Sequence, residues 1–148
     1  MALTLNHFSI RTTDLEASRR FYADVLGLSV GPRPPFPFPG LWMYRGPHDD
    51  MANAVVHLIG LDPQDPAGLE QYLGGRGTTA LVGSGAVDHI AFFADGLAAM
   101  RTHLKAQGVS CRERTVPDIG LHQMFLEDPS GVVIELNYPA TELPAAVV

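Results

Sequence analysis

Residues 54–60 read AVVHLIG, and residues 132–138 read VVIELNY. Both are short apolar runs, the pattern of a strand buried on both faces. Each is interrupted once by a titratable group, His57 in the first and Glu135 in the second. A buried polar group left without a partner costs about 1–3 kcal/mol. Both strands therefore need a polar feature beside them. Two strands with the same anomaly suggest a repeat, and the rest of the chain supplies one.

In the first half, LNHFSIRT (5–12) alternates. Leu5, His7, Ser9 and Arg11 share one face and Phe8 and Ile10 the other, as in a half-buried strand. Thr13 with Glu16 has the spacing of a capping box. Leu15, Ser18, Tyr22, Val25 and Leu26 then fall on one helical face, and Gly27 stops the helix. LSVGP (28–32) and GLWMYRG (40–46) read as strands separated by the proline-rich RPPFPFPG, and AVVHLIG closes the half. The second half repeats the order. VDHIAFFAD (87–95) is a strand and GLAAMRTHLKAQG (96–108) a helix with Leu97, Met100 and Leu104 on one face. VSCRERTV (109–116), LHQMFLED (121–128) and VVIELNYP (132–139) are strands, the last two joined by the turn DPSG, residues 128–131. The expected fold is α+β, two βαβββ modules in tandem. We expect one domain over 1–148: module one 3–60, linker 61–86, module two 87–139 and a tail 140–148. The linker, rich in Gly and Pro, carries no clear element, and a connection of that length is usually functional or mobile.

The chain length of 148 residues suits one domain of about 100–200 residues. A net charge of −6, with Lys and Arg scattered, argues against nucleic acid as a partner. The one cysteine, Cys111, makes no internal disulfide and reads as a packing residue. The first residues lack the pattern of a secretory signal, and no run approaches the ~20 apolar residues of a membrane span. A cytoplasmic protein without membrane partners is expected.

His7 and His89 fall at equivalent points on the first strand of each half, and His57 and Glu135 at equivalent points on the last. A pseudo-twofold arrangement would gather three imidazoles and one carboxylate. That set suits a divalent transition metal, because imidazole favours Zn, Fe, Ni and Cu and carboxylate adds a hard oxygen. Taken singly, each is more commonly a hydrogen-bonded strand residue or a solvated one. Arg11, on the face of His7, is a candidate for an anionic substrate group, or else a surface ion pair. His122 lines the pocket or faces water. His48, with Asp49 and Asp50, reads as solvated loop, and His103 as an exposed helix residue.

The stretches NHFSIRTTDLEASRRFYADVLGL (6–28), DHIAF (88–92) and FLEDPSGVVIELNYP (125–139) resemble the vicinal oxygen chelate superfamily. That superfamily holds glyoxalase I, fosfomycin- and bleomycin-resistance proteins, extradiol dioxygenases and methylmalonyl-CoA epimerase. The resemblance covers most of the chain outside 61–86 and the tail. It implies that the two modules form a curled mixed sheet around a metal site. It also implies a metal (Fe, Zn, Ni, Co or Mn) held by His7, His89 and Glu135, with His57 as a further ligand. The shared chemistry is chelation of two substrate oxygens by a Lewis-acidic ion. Glyoxalase I has Glu or Gln where this chain has His57, although His is itself a base near neutral pH. Extradiol dioxygenases place Tyr where this chain has Phe125.

The leading expectation is a metal-dependent glyoxalase-type lyase or isomerase acting on a small molecule, with Glu135 or His57 moving a proton. The alternatives are an Fe(II) extradiol-type dioxygenase acting on an aromatic diol, and a resistance protein that sequesters a ligand. Arg11, Trp42 and His122 are the expected substrate contacts. PPFPFPGLW either roofs the pocket or protects a sheet edge. A homodimer is expected.

Overall fold

A computed structural model of the chain describes residues 5–72, 82–85 and 87–145. The chain divides into two compact units, Met1–Gly83 and Ser84–Val148, and each carries one module. In the first unit, β1 (Phe8–Thr12) is followed by α1 (Leu15–Arg20), which continues as a π-helical stretch Phe21–Val25. Then come β2 (Ser29–Gly31), β3 (Gly40–Tyr44), β4 (Ala54–Gly60) and α2 (Ala67–Tyr72). The second unit holds β5 (Ile90–Phe93), α3 (Leu97–Gln107), β6 (Arg112–Val116), β7 (Leu121–Glu127) and β8 (Val133–Pro139).

The sheet orders are β1-β4-β3-β2 and β5-β8-β7-β6. In each, the first and last strands run parallel and the other pairs antiparallel. One order used twice bears out the βαβββ repeat. It also places His57, paired with Ser9 and Trp42, where Glu135 stands, paired with Ala91 and Phe125.

Alternation along the strands divides each sheet into two faces. In the first unit, Ile10, Met43, Val56 and Leu58 are buried on one face. The Ser18 hydroxyl donates to Thr12 Oγ1 at 2.9 Å, which ties α1 to that side. Tyr22, fully buried, follows one turn later. In the second unit Met124, Leu126, Ile134 and Leu136 form the corresponding buried face.

Local chemistry corrects two expectations. Asp14, not Thr13, caps α1, its carboxylate accepting from the Ala17 N–H at 2.9 Å. Glu16 turns instead to Arg19 at 2.8 Å. The stretch 61–86 does carry an element: α2 seats Leu69 against Phe38 and Ile59. Residues 73–81 and 86 of that stretch lie outside the described residues. Among the described residues no helix is long and apolar enough to cross a membrane.

Tyr138 is fully buried, and among the described residues its hydroxyl has no hydrogen-bond partner. Burial, followed by the nearby charges of Glu142 and Asp95, pushes the phenol up to about 12. A stranded hydroxyl costs about 1–3 kcal/mol. Tyr138→Phe is therefore expected to be neutral or to stabilise by about 1 kcal/mol, measured by urea denaturation. A loss above that size would reveal a hidden partner.

Candidate functional site

In the first unit His7 lies one residue before β1, and His57 lies in the middle of β4. Their rings stack face to face, with centroids 3.7 Å apart and planes 17° apart. On its other side His57 stacks on Trp42 of the adjacent strand, at 4.0 Å and 8°. The imidazole is thus sandwiched. Burial, then the neighbouring His7, pulls its pKa down to about 4, so it is neutral through the physiological range. Asn6 Oδ1 holds the Nδ1 edge of His7.

The proline-rich loop reaches the same face. Phe38 packs on Ile59, two residues beyond His57, and Phe36 lies 6.4 Å from Trp42. The Arg33 guanidinium sits over both phenylalanines at 5.1 and 5.0 Å and donates to the Phe38 carbonyl at 2.9 Å. Of the two expectations for this loop, it covers part of the His57 face.

In the second unit His89 stands one residue before β5, and Glu135 in β8 is 5% exposed. His89 Nε2 is 3.3 Å from Glu135 Oε2. The other ring nitrogen, Nδ1, is 2.7 Å from the Asp88 carboxylate. A carboxylate on one nitrogen fixes the tautomer and leaves the other nitrogen as the donor, the usual support of a metal-bound histidine. The first unit echoes this, with Asn6 before His7 as Asp88 stands before His89. That NH/DH echo is visible in the sequence, and reading the histidines alone misses it.

The two pairs differ in their fit to a metal. Two donors 3.3 Å apart suit one ion lying at the about 2.0–2.2 Å expected of zinc-type nitrogen and oxygen ligands. His7 and His57 do not share an ion as they are oriented. An imidazole lone pair lies in the ring plane, so the lone pairs of stacked rings run nearly parallel and do not converge. Of these two, His7 is the exposed ring, and His57 is stacked on Trp42. Within neither unit, among the described residues, do three His, Cys, Asp or Glu side chains gather at one point.

The remaining candidates separate by face. Arg11 and Trp42 share the face of His57, by alternation from Ser9 and by direct register. His122 is on the other face from Glu135: its register partner is Tyr138, and it is 5% exposed. There it meets Glu113 Oε2 at 2.6 Å and Thr115 Oγ1 at 2.9 Å. Arg101 of α3 donates to the same carboxylate at 2.6 Å. His48 is exposed and bonds Ser29 Oγ at 2.8 Å, His103 is half-buried, and Cys111 is exposed instead of packed.

The hydrogen bond from Arg101 holds the Glu113 carboxyl below its ordinary range. As pH falls below about 4.5 the unfolded chain therefore takes up the proton first. The stabilisation is present above that pH and is lost as pH drops through the folded value. Glu113→Gln is expected to cost about 1–3 kcal/mol at neutral pH. It should also flatten the acid limb of a stability-against-pH curve, which denaturation series between pH 3 and pH 7 would measure.

On the Glu135 face, Phe125 is covered by the Arg112 guanidinium at 4.2 Å and by Arg114 at 5.2 Å. Buried Gln123 and Asn137 flank the carboxylate. Reading the sequence for titratable groups passed over both amides. Their signal was position, since they alternate in phase with Glu135 on adjacent strands.

The family profile described as the Glyoxalase/Bleomycin resistance protein/Dioxygenase superfamily matches residues 4–136. No curated protein matches the sequence. Among solved structures, the trypanothione-dependent glyoxalase I of Leishmania major is 23% identical with a TM-score of 0.64, covering 95% of this chain and 89% of its own. The fosfomycin resistance protein of Listeria monocytogenes is 15% identical with a TM-score of 0.62, covering 93% and 94%. An antibiotic-binding protein from a Streptomyces species is 21% identical with a TM-score of 0.59, covering 94% and 98%. At these identities the likeness is one of fold.

Proposed function

The chain belongs to the Glyoxalase/Bleomycin resistance protein/Dioxygenase superfamily, and from that we propose that it is a metal-dependent lyase or isomerase acting on a small substrate through two vicinal oxygens. The single observation that supports this most is the His89–Glu135 edge. Its two donors lie 3.3 Å apart, with Asp88 on the far nitrogen of the ring. His7, His89 and Glu135 would hold the ion, one of Fe, Zn, Ni, Co or Mn. Bound there, it supplies Lewis-acid polarisation of the substrate oxygens.

The chain's own residues do the rest. His57 is the base: it is neutral at working pH, and stacking between His7 and Trp42 fixes its plane. It accepts the proton from the substrate atom next to a chelated oxygen, then returns it or passes it on. Trp42 and Phe36 offer an apolar wall that shields this transfer from water and favours a substrate with an apolar or aromatic part. Arg11, on the same face, would meet an anionic group of the substrate.

A second reading is an Fe(II) extradiol-type dioxygenase acting on an aromatic diol. The stacked rings favour it: with His57 turned to Trp42, the donor set is two histidines and one carboxylate, which leaves positions open for substrate and dioxygen. Metal analysis of the protein as purified, followed by assay, separates the readings. Nickel, cobalt, zinc or manganese with turnover of hemithioacetals or related hydroxy-carbonyl compounds supports the first. Iron with oxygen uptake on catechols supports the second and replaces the first. Tight binding of an antibiotic by a metal-free, inactive protein overturns both in favour of sequestration. Light scattering tests the homodimer that we also propose.

A further inference from the structure

Glu135 is held by a closed set of buried side chains. Gln123 Nε2 donates to Glu135 Oε1 at 2.8 Å and to Asn137 Oδ1 at 2.8 Å. Asn137 Nδ2 donates to the same Glu135 oxygen at 2.7 Å. Arg114 Nε donates to Gln123 Oε1 at 2.6 Å. Gln123, Glu135 and Asn137 are 6%, 5% and 7% exposed.

The amide orientations have one solution. Turning the Gln123 amide over would set its oxygen against two acceptors and its NH2 against the Arg114 donor. Turning Asn137 over would set its oxygen against the carboxylate and its NH2 against the NH2 of Gln123. Both hydrogens of the Gln123 amide are therefore used, and its oxygen is fixed from the sheet edge by Arg114. Glu135 Oε1 accepts twice. Glu135 Oε2 takes no part in this set and is the oxygen that faces His89 Nε2.

From this geometry we infer that Gln123, braced by Arg114 and joined by Asn137, is a positioning residue that makes Glu135 a one-oxygen ligand. The inference rests on the proposed role of Glu135 at the metal. The two amides occupy Oε1 and lock the carboxylate plane, so only Oε2 is offered. One-oxygen binding would keep for the substrate a coordination position that a two-oxygen carboxylate would fill.

The test uses full-length protein loaded with cobalt(II), reading affinity by titration and ligand geometry by visible absorption. Gln123→Leu is expected to weaken cobalt binding about 10–100-fold, the usual cost of an outer-shell partner. Its bands should also shift as the freed carboxylate turns. A role confined to satisfying a buried carboxylate would lower the melting temperature and leave the bands where they are. Unchanged bands and affinity in folded Gln123→Leu overturn the inference. If that variant fails to fold, Arg114→Met at the exposed sheet edge decides. It should shift the bands in the same direction by a smaller amount, and no shift overturns the inference. Glu135→Ala is the control. Loss of cobalt there alongside an unaffected Gln123→Leu sinks the positioning role alone. Wild-type binding in Glu135→Ala sinks the metal reading beneath it as well.

Discussion

Cobalt or manganese titrated into Glu135→Ala, His89→Ala or His7→Ala protein will bind more weakly than to the wild type by more than the roughly 10–100-fold that an outer-shell residue costs. On the proposed ligand set each substitution would remove one donor to the ion and leave two. The effect should also appear as stability. A metal at a hundred times its dissociation constant raises folding stability by about 2.7 kcal/mol, and these variants should lose that increment. His7→Ala and His89→Ala should keep their metal-free melting behaviour, whereas Glu135→Ala also strands the buried Gln123 and Asn137 amides and should melt lower. Asp88→Ala should weaken binding by only about tenfold, the lower end of the outer-shell range, because its carboxylate orients His89 from an exposed position. His57→Ala is the discriminating member of the series. With its ring parallel to His7 and backed by Trp42, it should keep its metal and lose turnover. If His57→Ala loses metal as fully as His7→Ala, the rings turn on binding and the site has four ligands.

Gly68→Ala is expected to destabilise the first unit by about 1–3 kcal/mol, the usual cost of overpacking. Helix propensity alone predicts the opposite sign, since Ala gains about 0.5–1 kcal/mol over Gly inside a helix. The clash decides. A Cβ at Gly68 would lie 2.0 Å from the Pro37 carbonyl oxygen. That oxygen is backbone, in a loop stiffened by four prolines between 34 and 39, so neither partner yields by rotating a side chain. Either α2 or the loop must move, and Leu69 then withdraws from Phe38 and Ile59. At about 2–4 °C per kcal/mol for a chain of this size, thermal melting resolves the loss. An unchanged melting temperature would mean that α2 is free to lift away from the loop.

Much of the fold was legible because strand periodicity and helix stops are local signals. AVVHLIG is β4 residue for residue, and α3 lies within the predicted 96–108. What escaped depended on neighbours distant in sequence or on competition between adjacent groups. Asp14 displaced Thr13 as the cap because the Thr12 and Ser18 hydroxyls hold the strand end and the chain enters the helix one residue later. Leu69 gave no periodic signal in six residues, and its packing with Phe38 and Ile59, which are distant in sequence, is what makes α2 worth forming. The four candidate titratable residues could be named from the repeat, and the strand order shows that the members of each pair hold equivalent positions in their own sheets. Face assignment for His122 needed the register with Tyr138. The stacking of His57 needed Trp42 beside it, and no one-dimensional pattern distinguishes a ring that points at an ion from one that lies flat on a neighbour.

The chain has one tryptophan, and it is the residue stacked on His57 at 4.0 Å. The protein therefore carries its own optical reporter at the place where the chemistry is proposed. No label or engineered fluorophore is required, and no second indole dilutes the signal. A ring rotation at His57, a guest displacing it, or a charge arriving on it would alter the emission of a single fluorophore whose position is known.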